Sequence, residues 1–226
     1  LGRPGASRNA WEFLLGVLIV ALPSGLIVLQ PDLGTMLVFG PVLLCMFFAG
    51  GTAPKVLLAT VLAGALAVVL VLGSIVIQEK PSVAPALRRA AALPTAFLGA
   101  YQRGRLLDFL YPERDPYNLG WNRRQSEIAV GSGGIWGKGF LRGDQNLLGY
   151  LPQQVSANDF IFSVLAEEKG FVGTMGVLLL FAGIVFPGLS VAAGCTDGYG
   201  RLLVVGILAL LYSHVFINIA MTIGLL

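Results

Sequence analysis

The sequence predicts an all-α protein: a polytopic transmembrane helical bundle with a large extracytoplasmic loop. Three observations carry that expectation. Of 226 residues, 56% are hydrophobic and only 12% charged, against roughly a quarter charged in an ordinary soluble domain. Several apolar runs approach or exceed the roughly 20 residues a helix needs to cross the hydrocarbon core. The charge is also concentrated, since residues 78 to 160 hold ten of the fifteen Lys and Arg and seven of the twelve Asp and Glu. Runs such as VLLATVLAGALAVVLVLGSIVI show no two-residue alternation, which excludes a membrane barrel of alternating strands.

The first span covers residues 11 to 30, behind Arg3 and Arg8. Its apolar run exceeds the core of a cleavable signal and no small-residue cleavage site follows, so it reads as a true span. The second covers 33 to 51. Between them Pro31 and Asp32, in LQPDLGT, turn the chain, and Asp32 is placed to cap the next helix by accepting from N–H groups near Gly34 and Thr35. The third covers 56 to 77, so residues 1 to 77 are read as three transmembrane helices. Residues 78 to 160 are read as mostly extracytoplasmic loop, with a weaker membrane segment near 90 to 100. Residues 161 to 226 supply two more helices, with spans at 171 to 193 and 202 to 226. Pro23 and Pro41 fall inside spans, where neighbouring groups can satisfy the carbonyls a proline frees. The chain begins at Leu1 and stops at Leu226 inside an apolar run, which reads as a membrane protein truncated at both ends.

Ten basic residues would draw the long interval into the cytoplasm, but the positive-inside rule weakens beyond about 60 residues. The short segments decide instead: Arg3, Arg8, Lys55 and Arg201 share the opposite side, which sets the interval outside. Cys45 and Cys195 fit neither a metal site nor a disulfide framework and read as packing residues.

Asp159, in SANDFIFSVLAEEKGFVG at 156 to 173, is the sharpest chemical candidate. It stands at the mouth of an apolar helix, with Glu167 and Glu168 about two turns further in. Asp159, Ser163 and Glu167 recur every four residues and share a stripe. A helix cap and a polar contact to a neighbouring helix are plain uses for such an acid; an ionisable residue at membrane depth is equally a functional candidate. GSGGIWGKG, at 131 to 139, lacks the spacing and the Ser or Thr of a P-loop; as a glycine-rich turn with free N–H groups and Lys138 it suits an anion or is a surface turn. Arg103 and Arg105, then Arg123 and Arg124, suit phosphate or diphosphate, or anionic lipid head groups. His214 and Asn218, four apart, share a face of the last helix and read as packing residues.

QPDLGT at 30 to 35, RLLDFLYPERDP at 105 to 116, QSEIAVGSGGIWGKG at 125 to 139, GDQNLLGYLP at 143 to 152, DFIFSVLAEEKGFVG at 159 to 173 and FINIAMTIGLL at 216 to 226 resemble, in order, the SEDS family. Those are RodA/FtsW-type glycosyltransferases that polymerise peptidoglycan, and the IAVGSGGIWGKG and HVFINIAMTIGLL wording is more similar to RodA than to FtsW. The resemblance implies helices five to nine of ten, with the large loop between helices seven and eight. Asp159 then matches the family's essential acid directly before Phe-Ile-Phe. Arg105, Gln125, Ser126, Lys138 and Gln145 fall in motifs taken to bind substrate, and Asp32, Glu167 and Glu168 are supports. The approach departs from the family pattern: LPQQVSAND has Gln153 where a Glu is usual, Asn158 for a Thr, and two extra residues.

The resemblance implies lipid II, an undecaprenyl diphosphate-linked disaccharide-peptide, as substrate in a bacterial inner membrane, and a class B penicillin-binding protein transpeptidase as partner. Forming a β-1,4 bond from an α-linked donor with inversion needs one base for the acceptor 4-hydroxyl, the role expected of Asp159. Arg105 or Lys138 would stabilise the departing diphosphate. No metal cluster is visible in the sequence, so a Mg²⁺ or Mn²⁺ ion would be held by diphosphate and one carboxylate. A lipid II flippase or a non-catalytic membrane scaffold are the rival readings, and residues 1 to 226 alone are expected to be inactive.

Overall fold

A computed structural model describes residues 10–30, 32–80, 83–96, 98–111, 119–148, 150 and 159–225. The elements are α1 (Ala10–Leu29), α2 (Leu33–Ala49), α3 (Pro54–Glu79), α4 (Pro85–Ala92), α5 (Ala100–Leu110), α6 (Leu119–Ser132), α7 (Asp144–Leu147), α8 (Ile161–Gly194) and α9 (Gly198–Thr222), with a 3₁₀ turn at Leu93–Thr95. All are helical, as the composition requires of a lipid-embedded chain that must satisfy its own backbone. The bundle is the expected polytopic one: α3, α8 and α9 are long and apolar enough to cross a membrane, and Phe13–Leu29 and Gly34–Ala49 are shorter apolar helices.

Local chemistry starts several of these helices. Asp32 caps α2, its carboxylate accepting from the Thr35 N–H at 3.0 Å and the Thr35 hydroxyl at 2.5 Å. Asp197 caps α9 by accepting from Tyr199 and Gly200 N–H groups. Pro54 and Pro85 open α3 and α4, where the missing N–H would have had no helical partner. α9 packs between α2 and α8, with α6 on α8, α1 on α2 and α4 on α3. Phe47 of α2 is buried against Phe13 of α1, ring centroids 4.6 Å apart. None of the apolar window of α3 is buried, a state that costs nothing in lipid, where tails are as apolar as the side chains. Within the interval 78–160 the described residues form short helices, and α4 leads directly into the 3₁₀ turn at Leu93–Thr95.

The decisive feature is a reversal inside α8. Gly170 has φ 66° and ψ −165°, a region only glycine occupies. On the near side, Asn218 of α9 donates to the Asp159 carbonyl, and Ser126 links Ser163 to the Thr222 carbonyl. On the far side, Gly188 meets Leu208. A straight helix would put Asp159 about 43 Å from Gly188, yet their partners on α9 lie only about 15 Å apart. Residues 161–169 therefore form a short arm parallel to α9, and 171–194 return antiparallel to it. Glu167 and Glu168, the expected supports of this stretch, are thereby carried away from the body of the bundle. They lie on the loop side, about 12 Å along the arm from an Asp159 that sits about 6 Å inside the last turn of α9.

Candidate active site

The short arm begins with Phe160, buried at 5%, whose carbonyl accepts from Ser163 and Val164 N–H groups. Asp159 precedes it. Its carbonyl is bound by Asn218 Nδ2 at 3.0 Å, while its side chain is exposed and no described residue pairs with the carboxylate. No side chain caps the arm, so the helix-cap use of this acid falls away. The backbone is pinned and the carboxylate is open.

At the other end of the arm, the break leaves orphan backbone groups on both sides, and the glycine-rich turn takes them up. Lys138 and Gly139 N–H groups donate to the Glu167 and Glu168 carbonyls at 2.9 and 3.0 Å, and Phe171 and Val172 N–H groups donate to the Gly134 and Ile135 carbonyls at 2.9 and 3.1 Å. That approach needs glycine at 137, where a Cβ would stand 2.2 Å from the Glu168 oxygen. The Lys138 and Gly139 N–H groups, candidates for an anion cradle, are consumed here, because satisfying a buried helix break outranks leaving donors open. The turn is a splint for α8.

Lys138 also closes an ion-pair group. Its ammonium lies 2.7 Å from Glu167 Oε1 and 2.8 Å from Asp144 Oδ2. Glu167 is 1% exposed, and the Gln145 N–H donates to the same Oε1 at 3.3 Å. Hydrogen bonds to Asp144 and Glu167 hold the Lys138 pKa above the usual lysine value. Glu167 Oε2 and Gln145 Oε1 are buried acceptors without a described partner.

The family model described as cell cycle protein, that of FtsW, RodA and SpoVE, matches residues 3–226. The chain belongs to the FtsW/RodA/SpoVE family. The peptidoglycan glycosyltransferase MrdB of Escherichia coli K12 is 35% identical over 215 residues, covering 94% of this chain and 51% of that protein. The peptidoglycan glycosyltransferase RodA of Treponema pallidum is 33% identical over 264 residues, with 95% and 60% covered. A probable peptidoglycan glycosyltransferase FtsW of Trichlorobacter lovleyi is 32% identical over 217 residues, with 94% and 49% covered. The chain spans about half the length of the curated relatives it matches. With three membrane-length helices, this FtsW/RodA/SpoVE member is a multi-pass membrane protein.

Within this family member the expected site residues do not all converge. Ser126 is fully buried; its hydroxyl donates to the Thr222 carbonyl at 2.8 Å and pairs with Ser163 at 2.6 Å, so it ties α6, α8 and α9 together. Gln125 and Glu168 are buried. Asp32 stands at the same end of the bundle, beside Gly34, which lies close to Met221 of α9. Burial pushes its carboxyl pKa up, but the Thr35 and Gly34 hydrogen bonds outweigh that and the net direction is down. Arg105 lies on α5, its side chain outside the described residues, as are residues 151–158 with Gln153, Asn158 and the two-residue excess. The arginines disperse: Arg103 donates to Gln78 and Thr95, and Arg123 to Glu127 and the Gly224 carbonyl. Among the described residues no three His, Cys, Asp or Glu gather as metal ligands. Sequence reasoning passed over Asp144, whose only signal was an acid opening a short helix, and over the Asn218 link to Asp159, since a four-residue interval names a face but not the neighbour it meets.

Proposed function

We propose that this chain carries the catalytic acid of a peptidoglycan glycosyltransferase of the RodA type, which polymerises lipid II at the outer face of the bacterial inner membrane. The relatives' names support the activity. One observation carries the site: Asp159 has a fixed backbone and an exposed carboxylate without a described partner, at the end of the bundle opposite Lys55 and Arg201. A lipid-anchored sugar needs a base near the membrane surface, and Asp159 takes the proton of the acceptor 4-hydroxyl as that oxygen attacks the donor sugar with inversion. Arg105 or a divalent cation would stabilise the departing diphosphate. A Mg²⁺ or Mn²⁺ ion would be held by the substrate's phosphates and one carboxylate other than the base, the usual arrangement for such hard cations; when bound it would neutralise diphosphate charge. A class B penicillin-binding protein is the proposed transpeptidase partner.

The test is full-length protein purified in detergent, given labelled lipid II, with glycan chains read on a gel for wild type and Asp159→Asn. Loss of a positioned base is expected to cost about 10² to 10⁴ in rate. Equal chains from both would refute the assignment of Asp159. No chains from either would favour a scaffold, and lipid II translocation in vesicles without polymer would favour a flippase.

A further inference from the structure

We propose that Lys138 is a positioning residue for this reaction: by pairing with buried Glu167 at one end of the short arm it fixes Asp159 at the other. The inference rests on the glycosyltransferase reading given above. Lys138 acts at a distance from Asp159, because the Glu167 it pairs with lies about 12 Å along the arm. Its ammonium is also already committed to two carboxylates.

The arm needs such a tether. Residues 161–169 make fewer than three turns, and an isolated helix of that length is marginal in stability. Its direction therefore depends on what holds its ends. At the Asp159 end these are the Asn218 bond and the Ser163–Ser126 bond. At the Gly170 end these are the stitched backbone groups, the Lys138–Glu167 pair, and Lys169, whose ammonium sits 5.0 Å from the Phe140 ring centroid. Within that set the Lys138 pair is the side-chain link that joins a charge on the turn to a carboxylate with no solvent to fall back on, so breaking it leaves the arm held at this end by the backbone bonds and the Lys169 contact and free to tilt on them. The Glu167 carboxylate is closely packed: a Cβ at Gly143 would stand 2.7 Å from its Oε2. A small rotation of the arm about Gly170 is magnified at Asp159, and a misplacement of about 1 Å can cost about 10²-fold in rate.

The test uses full-length protein carrying Lys138→Met, Glu167→Gln or Lys138→Arg. Glu167→Gln keeps the shape and removes the buried charge, so it remains informative if Lys138→Met folds poorly. Lipid II polymerisation supplies kcat and KM. Nitroxide labels at Ile161→Cys and Ile207→Cys, both exposed positions, in a background with Cys45, Cys195 and every other cysteine of the full-length protein replaced by serine, report the arm against α9. Lys138→Met and Glu167→Gln are expected to lower kcat about 10- to 100-fold with KM within about twofold, and to broaden a single narrow distance distribution. Lys138→Arg is expected to restore both. A narrow distribution unchanged in both charge-removing variants, or a rise in KM at constant kcat, would overturn the proposal. Absence of glycan from wild type would instead overturn the underlying glycosyltransferase reading, visible at once because it does not depend on position 138.

Discussion

Replacing Gly170 by alanine tests the reversal of α8 with a predicted sign that a straight helix would invert. At φ 66° and ψ −165° an alanine occupies a region essentially restricted to glycine, at a cost of about 1 to 3 kcal/mol. Its Cβ would lie 2.3 Å from the Gly137 nitrogen and 2.6 Å from the Ile135 oxygen. Both are backbone atoms, so relief requires the turn to move, which strains the four bonds made by the N–H groups of Lys138, Gly139, Phe171 and Val172. Each is worth about 1 kcal/mol net. The variant is therefore expected to lose about 3 to 6 kcal/mol, or roughly 6 to 24 °C in apparent midpoint for a chain of this size. Tryptophan fluorescence during thermal unfolding in detergent is the assay. Gly64→Ala, in α3 where nothing lies within 4 Å of the new Cβ, is the control, and is expected to be neutral or more stable by up to about 1 kcal/mol. If Gly170→Ala behaved like Gly64→Ala, α8 would be continuous there and the short arm would not exist.

Asp159→Asn should silence polymerisation while leaving the thermal midpoint in place, because the carboxylate is exposed and supports no described contact; the gel and the melt are run on one preparation. Ser126→Ala leaves Thr222 and Ser163 short of a buried hydrogen bond and is expected to cost about 1 to 3 kcal/mol, read as a lower midpoint. Asp32→Ala removes an N-cap worth about 1 kcal/mol. Since the folded Asp32 carboxyl lies below its ordinary value, this stabilisation is present above about pH 3.9 and fades as pH falls through the folded value, so wild type and variant melts should converge only in acid. Lys138 has the opposite sign. Its pKa is raised by Asp144 and Glu167, so its contribution is complete below about pH 10.4 and is lost as pH rises through the higher folded value. The gap between wild type and Lys138→Met should persist at pH 8 to 10 and close only beyond.

Much of the bundle was legible because its signals are local. The apolar stretches at 56 to 77, 171 to 193 and 202 to 226 fall on α3, the returning part of α8 and α9, since hydrocarbon thickness alone sets the length a crossing helix must have. The Asp32 cap was legible for the same reason, as the acceptor and the Thr35 donor lie three residues apart. The glycine-rich turn was not. Its composition reads equally well as an anion cradle or a surface turn, and the choice depended on which carbonyls stood opposite its N–H groups.

The sequence by itself determined a membrane-embedded helical chain of the FtsW/RodA/SpoVE type and drew attention to the Asp159 stretch. Only the tertiary structure decided that SANDFIFSVLAEEKGFVG is two segments and not one helix, that Asp159 lies inward of Glu167, and that Lys138 faces Glu167 and Asp144. The reason is physical. A helix can break at Gly170 only if the freed N–H and C=O groups find partners, and those partners sit some 30 residues earlier in the chain, on a turn whose contacts no local periodicity records.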